Sequence, residues 1–312
     1  MRQEAYFCTV KELDELGKNN IPRQLISHTH LIYSSPATLA FNSPGAEGFG
    51  VKRAGLAVPD SVMLIVSPGC CGRNTSVLSS MRAYQDRFYY LLMDETDIVT
   101  GRHLKKIPKA VAEICEGLKK KPSVVMICIT CVDALLGTDM ERVCHKAEEY
   151  AGVPVRPCYM YALTREGRKP PMVHVRQSVY SLLEPKKKKG NVVNLLGYFS
   201  PLTDDCELYD LLHGAGVKTI HEISRCKDYA QYQTMSEANF NLVLHPEARF
   251  AAEDFHDRLK IPYIELRRLY QIDKIASQYR AFAAALGVEF EDEIPRKAAE
   301  EAVEKFREIH PD

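Results

Sequence analysis

The stretch PDSVMLIVSPGCCG, residues 59–72, decides the fold. Its apolar run, residues 62–66, contains no polar residue and lies between Pro59 and Pro68. A run of this length and composition is typical of a strand that is covered on both faces in a parallel sheet. We therefore predict a buried parallel strand here, with a loop rich in glycine and cysteine at its carboxyl end.

Strand-like and helix-like segments alternate along the rest of the chain. The patterns predict further strands at residues 97–100, 124–129, 153–159, 192–196, 217–220, 241–244 and 263–265. They predict helices at residues 8–20, 76–89, 103–118, 138–150, 205–214, 250–259 and 292–309. An alternation of this kind indicates parallel α/β sheets with right-handed connections.

Four adjacent lysines, Lys186–Lys189, interrupt this alternation. Their charges repel one another and favour solvent, so we interpret the run as a connector; a docking patch for a partner is the other interpretation. A chain of 312 residues is long enough for two domains. We predict two Rossmann-like α/β domains, an N-terminal one at residues 1–186 and a second at residues 190–312.

The composition excludes several classes of protein. Lys plus Arg equals Asp plus Glu at 41 each, which argues against nucleic acid as the main partner because phosphate binding needs a basic surface. The sequence shows no secretory signal pattern and no apolar run of about 18 residues, so we predict a cytoplasmic protein without a membrane span. In that compartment ten cysteines are unlikely to form disulfides, and a few are candidate metal ligands.

Two cysteines occupy equivalent places after predicted strands. Cys71 follows the first buried strand, and Cys131 follows the strand at residues 124–129. Ligands of parallel sheets bind outside the carboxyl ends of the strands, so we expect these two thiols near each other at one edge. Gly69 and Gly72 would let the backbone approach a bulky inorganic group closely. The sequence therefore predicts Cys71 and Cys131 as metal ligands.

Cys70 and Cys128 are weaker candidates for the same cofactor site. Cys128 and Cys131 form a CxxC pattern, which suits zinc, a redox dithiol or an iron–sulfur centre. Cys128 lies inside an apolar run, however, so we expect it in the core, and Cys70 points away from its neighbour Cys71. We expect the six other cysteines, and the histidines of the HTH sequence at residues 28–30, to have structural roles.

Three segments carry a resemblance to a known family. Residues 68–72 (PGCCG), residues 130–139 (TCVDALLGTD) and residues 97–101 (DIVTG) resemble elements of nitrogenase component 1 (MoFe-protein-type) oxidoreductases. The resemblance implies that Cys71 and Cys131 ligate the P-cluster or its [4Fe–4S] counterpart. It also implies that Thr100 lies at the docking face for an iron-protein reductase. Weaker similarity in the second half includes residues 193–197, 241–243 and 261–263.

The sequence departs from the family pattern in three places. No cysteine is present at residues 41–46, where the family has its first cluster ligand, and Asn42 or Ser43 takes that place. Thr219 stands where the catalytic subunit is expected to carry its cofactor-ligating cysteine. The resemblance extends over two domains, and we do not expect this sequence to contain the family's third domain, which carries a cofactor histidine. The resemblance therefore implies a short form that does not hold a molybdenum–iron cofactor and does not itself reduce dinitrogen.

Three functional hypotheses follow. The first is an iron–sulfur electron-transfer subunit of a nitrogenase-like reductase, which accepts electrons from an ATP-dependent iron-protein partner. Its [4Fe–4S] cluster would be shared across a subunit interface, in a homodimer or with a longer component 1 homologue, because two chains together supply four thiolates. The alternative is a non-enzymatic scaffold or maturation protein for a metal cluster or cofactor. The third is a zinc-binding or small-molecule-binding module.

Patterns for other cofactors are missing from the sequence. It contains no GxxxxGK[ST] motif for nucleotide phosphates and no GxGxxG after a strand. ATP hydrolysis is therefore assigned to the partner in the first hypothesis, and the sequence does not identify a substrate.

Overall fold

The computed structural model describes residues 9–17, 20, 51–69, 79, 84–160, 169–289 and 293–309. The sequence features at residues 28–30, residues 41–46 and residues 70–75, which include Cys70 and Cys71, lie outside the described residues. All structural statements below concern the described part of the chain.

The first half folds around a four-stranded parallel sheet. Its order is β2-β1-β3-β4, and its strands are β1 (Val62–Ser67), β2 (Phe88–Leu92), β3 (Val125–Ile129) and β4 (Val155–Tyr159). Its helices are α2 (Glu95–Thr100), α3 (His103–Gly117), α4 (Cys131–Leu135), α5 (Met140–Ala151) and α6 (Pro171–Tyr180), and α1 (Val10–Leu16) precedes them. The predicted buried strands at residues 62–66 and 124–129 are confirmed as the two central strands.

The second half contains a second parallel sheet of four strands. Its order is β6-β5-β7-β8, and its strands are β5 (Val192–Leu196), β6 (Thr219–His221), β7 (Phe240–Val243) and β8 (Tyr263–Glu265). Its helices are α7 (Glu207–Gly214), α8 (Tyr229–Gln233), α9 (Arg249–Leu259), α10 (Ile272–Leu286) and α11 (Glu293–Ile309), with 3₁₀ turns at Ile223–Arg225, Thr234–Glu237 and Pro246–Ala248. The predicted α/β class with two parallel sheets is confirmed.

Two predictions around β2 are wrong. The segment predicted as a strand at residues 97–100 belongs to helix α2, and Phe88 and Tyr89, predicted as helical, begin β2. Asp94 starts α2 with a capping box, since its side chain accepts from the Asp97 amide and the Asp97 side chain accepts from the Asp94 amide. Gly101 ends α2 in the left-handed conformation, at φ 64°. These local caps outweigh the strand propensity of Ile98 and Val99.

The two faces of the first sheet pack against different parts of the molecule. On one face, alternate residues of β1 and β3 pack against α3 and α5 in one apolar cluster. The strand residues in this cluster are Val62, Leu64, Val66, Val125, Ile127 and Ile129. On the other face, Met63, Ile65, Met126 and Cys128 join a cluster that also includes residues of β5, β7 and α9. One apolar cluster therefore includes residues from both halves, and the domain boundaries at residues 186 and 190 stay a prediction.

Polar contacts also join the two halves. Arg176 of α6 is buried and donates two hydrogen bonds to the carbonyl of Gly197, which follows β5, and one to Glu247. Along the connector, Lys188 donates to the carbonyl of Ser236 at 2.6 Å, and Lys189 pairs with Glu237. Lys186, Lys187 and Lys189 are exposed and Lys188 is half-buried, and the role of the lysine run as a connector stays a prediction.

No helix in the described part of the chain is long and apolar enough to cross a membrane.

Candidate functional site

Cys131 lies where β3 ends and α4 begins, at the carboxyl edge of the first sheet. Its side chain is half-buried and forms no disulfide. Pro68 and Gly69 follow β1, which pairs with β3, so the chain enters the segment of Cys70 and Cys71 at the same edge. Because those two cysteines lie outside the described residues, their proximity to Cys131 stays a prediction.

Cys128, the other half of the CxxC pattern, is fully buried in the sheet. Its register partner on β4 is Cys158, which is buried as well. Burial raises the pKa of the Cys128 thiol to about 12, so its thiolate is disfavoured. The expected core position of Cys128 is confirmed. Its assignment as a cofactor ligand stays a prediction, and this burial weighs against it.

A buried His–Asp pair, which the sequence analysis did not identify, braces the helix that begins at Cys131. His103 and Asp133 are both fully buried, and His103 Nε2 lies 2.9 Å from Asp133 Oδ1. His103 Nδ1 lies 3.0 Å from the carbonyl of Asp97, and Thr138 donates to Asp133 Oδ1 at 3.1 Å. The pair fixes α3 to α4, and no periodic pattern in the sequence signals it.

Asp97 is the centre of an ion cluster between α2 and α3. Its buried carboxylate accepts hydrogen bonds from Lys106 at 2.7 Å and from Arg102 at 2.8 Å. These two hydrogen bonds hold the pKa of Asp97 well below its ordinary value of 3.8. The cluster keeps α2 in place at the carboxyl edge of the sheet.

Large apolar side chains are exposed around this edge. Val99 on α2 is 83% exposed and Leu135 at the end of α4 is 72% exposed, and Leu92 and Leu136 are also exposed. Thr100 is the last residue of α2 and is exposed too. Exposed apolar residues that cluster around one edge indicate a surface for another macromolecule.

A second feature lies between the two halves, at the opposite end of the first sheet. A cleft of about 600 Å³ is bounded on one side by residues that precede β1 and β2, and on the other by residues that follow β5 and β6. Its lining includes Arg53, Tyr84 and Arg87 from the first half, and Phe199, Ser224 and Lys227 from the second. The cleft joins the amino edge of one sheet to the carboxyl edge of the other.

The charges around this cleft are unbalanced. Three cations line it, namely Arg53, Arg87 and Lys227, against a single carboxylate, that of Asp60. The Asp60 carboxylate forms an ion pair with Lys120, which lies outside the cleft. Arg87 is held by carbonyls and by Ser61, whereas Arg53 and Lys227 are exposed. The sequence analysis missed this site because residues from five separate segments of the chain form it. Its chemistry suits an anionic ligand.

Within the described ranges, no three His, Cys, Asp or Glu side chains form a group that would hold a metal ion. The predicted ligand set includes Cys71, which lies outside those ranges, so this finding does not test it. Thr219, which the resemblance placed at the cofactor-ligand position, is exposed on the edge strand β6.

The fold is that of a nitrogenase component. The chain is similar to the solved structure "Nitrogenase Cp1 at pH 6.5", with a TM-score of 0.57 and 18% identity, over 77% of this chain and 57% of that one. A second, "Nitrogenase Cp1 at pH 5", gives a TM-score of 0.54 at 21% identity, over 83% of this chain and 54% of that one. At these identities the likeness establishes the fold.

Sequence comparison gives the family. Residues 47–312 match the family described as Nitrogenase component 1 type Oxidoreductase, and the chain belongs to that family. The resemblance found from the sequence is thereby confirmed.

Several curated relatives share one description, "Nitrogenase iron-molybdenum cofactor biosynthesis protein NifE". The protein of Nostoc sp. is 27% identical over 74% of this chain and 49% of its own length, and that of Klebsiella pneumoniae is 26% identical over 78% and 58%. The protein of Methanococcus maripaludis is 24% identical over 77% and 51%. The chain thus spans about half the length of the curated relatives that it matches.

His103→Ala is expected to lower the free energy of unfolding by about 1–3 kcal/mol, because it removes the imidazole next to the buried Asp133 carboxylate and leaves Thr138 as the remaining partner of Oδ1. Urea unfolding followed by circular dichroism measures the change. Lys109→Ala, on the exposed side of the same helix, is the control and is expected to change stability by less than about 0.5 kcal/mol. An equally small effect of His103→Ala would contradict the bracing role.

The depressed pKa of Asp97 predicts acid sensitivity. Its stabilising contribution is present above the ordinary carboxyl pKa of 3.8 and is lost as the pH falls through the lower folded value. Asp97→Asn is therefore expected to flatten the loss of stability below about pH 4, when unfolding midpoints are measured between pH 7 and pH 2.5. Asp205→Asn, at an exposed position, should leave the slope unchanged.

Proposed function

We propose that this chain is a maturation scaffold that holds an anionic metal–sulfur cofactor during its assembly. The observation that carries the proposal is the cleft between the two halves, with its excess of positive charge. Metal–sulfur cofactors combine sulfide with metal ions and commonly carry net negative charge, which Arg53 and Lys227 would attract. The relatives described as cofactor biosynthesis proteins support this function over the electron-transfer subunit that the sequence favours.

We also propose a resident iron–sulfur cluster at the carboxyl edge of the first sheet. Cys71 and Cys131 would be its ligands, and a [4Fe–4S] cluster would take two more thiolates from a second subunit. The half-buried thiol of Cys131, the apolar residues beside it and the unpartnered hydroxyl of Thr130 all suit such a cluster. When bound, the cluster supplies one-electron transfer.

The second subunit completes the proposed ligand set. It is either another copy of this chain or a longer component 1 homologue, because an isologous contact brings the same edge of both subunits together. The exposed side chains of Leu92, Leu135 and Leu136 would be covered in that contact.

An electron-transfer subunit is the second candidate function. The specific observation in its favour is the exposed end of α2, with Val99 and Thr100, next to the proposed cluster. An ATP-dependent iron-protein partner would dock there and deliver electrons. A scaffold differs from this subunit in its product, since it releases a cofactor to an acceptor and turns over no substrate.

Cys131→Ala and Cys71→Ala are each expected to abolish iron binding, because each removes a cluster ligand. Iron is measured in anaerobically purified and reconstituted full-length protein, where the unaltered chain should hold about four irons per dimer. Cys115→Ala, in the last turn of α3, is the matched control and should retain its iron. Iron retained in both ligand variants would exclude the proposed resident cluster.

Arg53→Ala combined with Lys227→Ala is expected to weaken the retention of a synthetic anionic iron–sulfur cluster at least tenfold, since it removes two exposed cations of the cleft. Competition by added salt should be correspondingly weaker in the variant. The control removes two exposed lysines elsewhere, Lys109→Ala with Lys274→Ala. Reduction of a small substrate by unaltered protein, supplied with a reductase and ATP, would instead support the electron-transfer function.

A further inference from the structure

Two buried hydroxyl groups at the carboxyl edge of the first sheet have no hydrogen-bond partner. Ser67, the last residue of β1, is fully buried, and Thr130, directly after β3, is 1% exposed. Neither Ser67 Oγ nor Thr130 Oγ1 forms a hydrogen bond. A buried hydroxyl without a partner lowers the stability of the folded chain, so both groups need an explanation.

The strand register places these hydroxyls side by side. Val66 of β1 pairs with Ile129 of β3, so Ser67 and Thr130 form the next pair along the two strands. Side chains alternate between the faces of a strand, and paired residues share a face. Ser67 and Thr130 therefore lie on the same face as Ile65 and Cys128, at the end of the sheet where the chain continues into Cys131.

Asp133, on helix α4 directly after Thr130, does not accept hydrogen bonds from these two hydroxyls. Asp133 Oδ1 is bound by His103 and Thr138, and Asp133 Oδ2 is itself buried without a partner. Three of the seven buried polar side-chain atoms without partners in the described residues thus lie at this one edge. Two of the three are donors, which suits a ligand that accepts hydrogen bonds.

We propose that Ser67 and Thr130 donate hydrogen bonds to the sulfur atoms of the cluster held at Cys131, and thereby set its reduction potential. The inference rests on the proposed resident cluster and adds two positioning residues to it. Sulfide and thiolate sulfurs accept hydrogen bonds, and they accept them more strongly when the cluster is reduced and more negative. Donors from Ser67 and Thr130 therefore stabilise the reduced form and raise the potential.

This role predicts opposite effects in the cluster-free and cluster-loaded protein. Ser67→Ala and Thr130→Val remove a hydroxyl while largely keeping the volume of the side chain. In the cluster-free chain each substitution is expected to raise the urea midpoint, because it removes a buried donor that has no partner. In the loaded chain each is expected to keep the iron and to shift the cluster potential to more negative values.

The control is Ser236→Ala. Ser236 is as fully buried as Ser67, but its hydroxyl donates to the carbonyl of Gln233 at 2.9 Å. Its substitution should therefore lower the urea midpoint and leave the cluster potential unchanged, since it lies beside the second sheet.

Stability is measured by urea unfolding of the cluster-free full-length chain, and potential by an anaerobic titration monitored by electron paramagnetic resonance. A lower urea midpoint in Ser67→Ala and Thr130→Val, or an unchanged potential in both loaded variants, would overturn the inference while iron binding still stands. Absence of iron from the unaltered chain would overturn the proposed cluster and this inference together.

Discussion

Burial of β1 and β3 on both faces is the constraint on which the rest of the structure depends. The apolar side chains of these strands alternate between the two faces, so each face needs its own cover. Helices α3 and α5 cover one face, and the other packs into the cluster that includes residues of the second half. Residues of the second sheet therefore help to bury one face of the first sheet. The cleft lies between the two halves that this packing brings together.

The same arrangement separates two chemical environments. At the carboxyl edge, parallel strands deliver Ser67, Thr130 and Cys131 to one place, and exposed apolar side chains surround that place. At the amino edge, the cleft collects cations from both halves. The surface that carries Cys131 and the cationic cleft thus lie at opposite ends of one sheet, which would keep the proposed resident cluster apart from the proposed anionic cofactor.

The sequence predicted the parts of the fold that have strong periodic signals. The buried runs of β1 and β3 and the amphipathic helix α3 fall close to their predicted limits. Helix α2 was predicted as a strand because the prediction followed the strand propensity of its β-branched residues and overlooked the capping box. Helices α6 and α10 were not predicted. The position of Cys131 directly after β3 could be predicted because the buried run before it is a local signal, whereas its role as a ligand stays a prediction. The His103–Asp133 pair and the cleft arise from long-range contacts, which one sequence does not encode locally.

The contacts of the lysine connector limit how the two halves move. Lys188 and Lys189 are tied to the turn at Thr234–Glu237, and Arg176 clamps α6 to the loop after β5. A hinge motion about the connector would have to break these bonds and open the shared apolar cluster. If the proposed cofactor binds in this cleft, its size and charge would therefore decide its fit more than a closure of the two halves around it.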